Sequence, residues 1–100
     1  MIYHKLVRDL IPEHIAARGG NAVTHIADEA EYRSKLSEKL VEEAREFSRD
    51  QNIEEIADVL EVVDAILAFH GFDRAEVDRV RAEKAATKGK FEKRIILDES

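Results

Sequence analysis

Apolar residues recur at helical spacing through most of the chain, and the recurring stretches are punctuated by aspartate, asparagine and glycine. From about Asp28 to Arg49, Tyr32, Leu36, Leu40 and Phe47 share one face, which predicts a long amphipathic helix. Asp50-Gln51-Asn52 reads as a tight turn, and a second long helix follows from Ile53 to about His70, closed by Gly71. So short a connection forces the two helices antiparallel. Before them, Asp9 to Arg18 predicts a shorter helix, with Asp9 as N-cap, Pro12 in the first turn where a missing N–H does no harm, and Gly19-Gly20 as the stop. A fourth helix begins at Asp73, with Glu76 three residues on as a capping box, and carries Val77, Val80 and Ala82. Met1 to Val7 is expected as an extended lead-in. Val23 to Ile26, within NAVTHIA, has strand-like alternation and could pair with the tail RIILDES. The expected fold is mainly α: a helical bundle with two long antiparallel helices, two shorter helices and room for a small two-stranded β element.

Acidic residues disturb the pattern in two places. With Glu43 set as zero on a wheel of about 100° per residue, Leu36, Leu40, Ala44 and Phe47 lie within roughly 100° on one side of it, and Glu46 about 60° away on the other. Glu43 therefore belongs to the apolar stripe. On the next helix Glu55 is surrounded by Ile56, Val59, Val62, Val63 and Ile66, with Asp58 on its flank. A buried, unpartnered carboxylate takes up a proton or finds a positive charge. Four converging on one interior point call for magnesium or manganese, hard cations that take oxygen ligands and keep waters and phosphates in their shell. Taken singly, each acid has a plainer explanation: i, i+3 acids are common on solvated faces, and Glu55 completes a capping box with Asn52. Solvation does not explain the same device on two consecutive helices.

Composition narrows the function. One hundred residues make a single domain, near the low end of comfortable independent stability. The second long helix is apolar over so wide an arc that the four helices of one chain can hardly cover it, so at least a homodimer is expected, with the site near the subunit boundary. There is no cysteine, which excludes a disulfide framework, a thiolate metal site and a cysteine nucleophile. The four histidines fit no zinc spacing. A net charge of -6 argues against a nucleic-acid polymer as partner but not against a small phosphorylated ligand. No apolar run approaches a membrane span and MIYHKLVRD lacks the apolar core of a signal peptide, so the expected compartment is the cytoplasm, with no membrane partner.

Phosphate chemistry needs cations beyond the metal. Lys5 and Arg8 stand near the start of the chain; Lys84, Lys88, Lys90, Lys93 and Arg94 stand near its end, with Lys84 and Lys88 one helical turn apart. With these residues in place, the sequence resembles the all-α nucleoside triphosphate pyrophosphohydrolases, the MazG-like and phosphoribosyl-ATP pyrophosphohydrolase-like superfamily. Its ExxE and ExxD pairs are matched by Glu43-Ala-Arg-Glu46 and Glu55-Ile-Ala-Asp58, and YHKLVRDLIP, EEIADVLEVVDAI and KAATKGKFEKRIIL look like the small house-cleaning members. Only eight residues separate Glu46 from Glu55, fewer than in many MazG-like proteins, a departure that bears on nucleobase selectivity more than on metal binding.

The resemblance implies magnesium-dependent cleavage between the α and β phosphates of a nucleotide substrate, giving a nucleoside monophosphate and pyrophosphate. By position, Glu43, Glu46, Glu55 and Asp58 would hold the metal, Glu43 or Glu46 would also act on the attacking water, and Lys5, Arg8, Lys84, Lys88 and Arg94 would bind the phosphates. Glu42 is expected outside the ligand set as a solvated or outer-shell group, with Glu61 and Asp64 off the acidic face. Phosphoribosyl-ATP is the alternative substrate, and a non-catalytic helical dimerisation module the alternative of another class.

Overall fold

The computed structural model describes residues 2–100, so Met1 of the expected lead-in lies outside the described residues. Four helices follow in order: α1 (Ile11–Ala17), α2 (Glu29–Asp50), α3 (Ile53–His70) and α4 (Arg74–Lys88). The ends of the two long helices are set by local chemistry. Asp28 Oδ1 accepts the backbone N–H of Glu31 at 2.9 Å at the start of α2, and Asn52 Oδ1 accepts that of Glu55 at 3.0 Å at the start of α3. Between them Gln51 takes a left-handed φ of 47° and its N–H bonds back to the Phe47 carbonyl, which turns the chain in two residues. α3 stops at Gly71, whose φ of 68° suits a residue without Cβ, and the Phe72 N–H closes the helix end on the Leu67 carbonyl.

The shorter elements differ in detail from expectation. α1 begins after Leu10 rather than Asp9, because an Arg8–Ile11 backbone turn precedes it and the residue before Pro12 is disfavoured deeper in a helix. Asp73 precedes α4 without making a side-chain cap, and the Glu76 carboxylate, which a capping box would turn back to the Asp73 N–H, is engaged by Arg79. Among the described residues there is no strand. Val23, Ile26 and Ile95 to Leu97 are all exposed, and Arg94 turns the chain with φ 57°. A two-stranded ribbon with no apolar face to lie on is marginal in water, so the expected pairing does not form.

The one extensive helix–helix contact is between α2 and α3. Leu36 and Val62 are the buried apolar residues at its centre, and Tyr32 meets Phe69 edge to face at 5.3 Å toward the open end of the hairpin. α4 shares no such face. The radius of gyration is accordingly 17.6 Å, against about 13 Å for a compact domain of this length.

Candidate metal centre

Residues three apart on a helix lie on one face, so Glu43 with Glu46, and Glu55 with Asp58, each present two carboxylates in the same direction. The tight turn at Gln51-Asn52 folds α3 back on α2 and puts the two faces opposite each other. One carboxylate oxygen from each of Glu43, Glu46, Glu55 and Asp58 lies within 4.8 Å of all the others. The four predicted ligands therefore form one cluster.

Glu43 is the deepest member, 6% exposed, and the other three are half-buried. Two oxygens of the cluster, Glu43 Oε2 and Glu55 Oε2, are buried with no hydrogen-bond partner. A buried carboxylate oxygen left unsatisfied is costly, and native structures rarely tolerate one without a ligand, ion or water to meet it. Burial pushes the Glu43 carboxyl above the usual carboxylate range, helped by the neighbouring Glu46 carboxylate and opposed by Lys39.

Two cations touch the quartet. Lys39 Nζ, one turn before Glu43 on α2, lies 3.2 Å from Glu43 Oε1 and 3.3 Å from Glu42 Oε2. Burial weakens the Lys39 ammonium, but its contacts with Glu43 and Glu42 outweigh this and hold it above its ordinary value. Arg8, from the lead-in fifty residues away in sequence, donates to Asp58 Oδ1 at 2.7 Å. Lys5 reaches only the neighbouring Glu42, at 3.4 Å. Four carboxylates facing two fixed cations leave a deficit of positive charge at the cluster. An all-oxygen donor set with two orphaned buried atoms fits a hard divalent cation.

The C-terminal cations are placed elsewhere. Lys84 and Lys88 do share a face of α4, which persists to Lys88, but neither they nor Arg94 forms an ion pair or hydrogen bond with the quartet. Lys84 instead lines a shallow depression with Phe72, Val77 and Val80 at the α3–α4 turn. Glu61 and Asp64 stand outside the cluster, as the wheel places them, and Asp64 pairs with Arg74. Lys39 is the residue that pattern reading passed over. Its signal was present, since it stands four residues before a glutamate lodged in an apolar stripe.

A cleft of about 720 Å³ opens from the quartet between the lead-in and the α2–α3 hairpin. Glu43, Asp58 and Arg8 stand at one part of it, and Tyr32, Leu36 and Val62 line its apolar wall. No protein-family model matches this chain, and neither a curated protein nor a solved structure matches it.

Proposed function

We propose that this chain is a magnesium-dependent nucleoside triphosphate pyrophosphohydrolase, cleaving modified or non-standard nucleotides between the α and β phosphates to a nucleoside monophosphate and pyrophosphate. The observation that carries the reading is the convergence of Glu43, Glu46, Glu55 and Asp58, with two buried oxygens that nothing among the described residues satisfies. Those four residues would hold the ion. Magnesium or manganese, when bound, supplies positive charge against the phosphate oxygens and makes a coordinated water easier to deprotonate.

The chain's own groups account for the rest. Glu43 or Glu46 accepts a proton from the attacking water as its oxygen bonds to phosphorus; the bridging P–O bond breaks and pyrophosphate leaves with the electron pair. Arg8, already drawn to the cluster by Asp58, is positioned for a phosphate oxygen once a cation takes over its share of the acidic charge. Lys5, which meets Glu42, would add a second cation. Tyr32, Leu36 and Val62 offer the apolar wall against which a nucleoside excludes water. Among the described residues no helix is long and apolar enough to cross a membrane, and we assign the enzyme to the cytoplasm and to a homo-oligomer.

The deciding experiment is pyrophosphate release from a panel of nucleoside triphosphates with and without magnesium. Metal-dependent release, lost in Glu43→Gln and in Asp58→Asn, is expected. No turnover by the wild type, or undiminished turnover in both variants, overturns the assignment.

A further inference from the structure

The chain exposes 8976 Å² of surface, whereas a compact monomer of 11.4 kDa exposes about 5,800 Å². That difference is several times the ~800 Å² each partner contributes to a standard protein interface. Two apolar features contribute to it. One is a stripe on α3 with Ile53, Ile56 and Leu60 exposed; the other is the segment after α4, where Phe91 is 97% exposed and Ile95, Ile96 and Leu97 are 76–78% exposed.

Their charges are complementary. Residues 53–64 of α3 hold five carboxylates and no lysine or arginine, while residues 89–97 hold three lysines and arginines against one glutamate. Packing α3 on α3 would set Glu54, Glu61 and Asp64, which border the stripe on one side, against their own kind, and like charges brought together at an interface are costly. The basic segment meets the acidic stripe without that cost. Nor does the segment lie on its own hairpin: α4 shares no packed face with α2 or α3, and the molecule is 54 Å long, against about 33 Å for a helix the length of α2.

We propose that residues 89–97 of one protomer form an arm that lies on the exposed α3 stripe of a second copy, with Phe91, Ile95 and Ile96 buried against Ile53, Ile56 and Leu60. Exchanged in this way, the arm sets Lys90, Lys93 and Arg94 of one protomer along its partner's α3 on the exposed face, away from the metal quartet, and the docking does not rest on the hydrolase reading.

The chain has no native cysteine, so single cysteines report the contact cleanly. Proteins carrying Leu60→Cys and Ile96→Cys are mixed under mild oxidation, and a disulfide between unlike chains is expected several-fold above either self-linked product. Predominant self-linking of Leu60→Cys, closure within one chain of the doubly substituted protein, or no cross-linked product overturns the proposal. Sedimentation provides a second measurement. Ile96→Asp is expected to weaken self-association by about a hundred-fold or more, through a buried unpaired charge, with far-UV circular dichroism unchanged. A wild-type monomer at micromolar concentration, or unaltered association in Ile96→Asp, overturns it. Neither measurement uses nucleotide turnover, so failure of the docking and failure of the hydrolase reading are separately visible.

Discussion

Lys39 Nζ lies 3.2 Å from Oε1 of Glu43, one helical turn away, while the other oxygen of the same carboxylate is buried without a partner. One side of Glu43 is thus compensated from within its own helix and the other is not. One oxygen of the same carboxylate lies within 4.8 Å of an oxygen of each of Glu46, Glu55 and Asp58. A divalent cation completes this arrangement better than a further lysine, because one small ion can be shared by all four oxygens.

Metal binding should therefore stabilise the fold. At a magnesium concentration a hundred times its dissociation constant, the gain is about 2.7 kcal/mol, which for a domain of this size raises Tm by roughly 10 °C or more. Thermal unfolding with and without magnesium checks this. Glu43→Gln and Asp58→Asn should abolish most of the shift, and equal shifts in wild type and both variants would show that magnesium acts elsewhere.

Lys39→Met tests the compensated side. It removes the partner of a nearly buried carboxylate while keeping much of the apolar volume, and should cost about 1–3 kcal/mol of stability without metal. Magnesium should then stabilise this variant more than the wild type, because the ion meets a larger deficit. A smaller magnesium-induced Tm shift in Lys39→Met would contradict this account of the cluster.

The pH dependence of stability has a definite sign. The Glu43 pKa is raised in the folded protein, so folded protein holds this proton more tightly than unfolded protein does. The resulting stabilisation is present in full below the unfolded carboxylate pKa and is lost as pH rises through the folded one. Metal-free wild type should accordingly lose stability, relative to Glu43→Gln, as pH rises from that of an ordinary glutamate toward neutrality. Tm profiles of the two proteins across that window, recorded with a chelator present, measure the difference. Parallel profiles would mean that Glu43 titrates normally.

What could be read from sequence was what adjacent residues decide. The limits of α2 and α3 follow from Asp28, Asn52 and Gly71, each acting through a hydrogen bond or a backbone angle within a few residues of itself. The quartet follows from helical spacing and one short turn. The rest depends on distant groups. Arg8 finds Asp58 across fifty residues, and nothing in its neighbours ranks it above Lys84 or Lys88. The reciprocal capping box expected from Asp73 and Glu76 does not form, and the Glu76 carboxylate turns to Arg79 instead. The Val23–Ile26 segment alternates like a strand and the tail carries a β-branched run, but neither pattern supplies a surface to lie on.

The turn that unites the quartet can be tested away from the acids. Asn52 caps α3 through its side chain and touches none of the four carboxylates through any recorded hydrogen bond. Asn52→Ala should cost about 1 kcal/mol, the usual loss for such a cap, and should fray the first turn of α3, where Glu55 stands. Magnesium affinity should fall with it even though every ligand remains. Asn52→Asp keeps an acceptor at the cap and favours the helix N-terminus electrostatically, so it should restore both stability and affinity. If Asn52→Ala lowers Tm but leaves magnesium binding untouched, the register of the α2–α3 turn does not position the metal site.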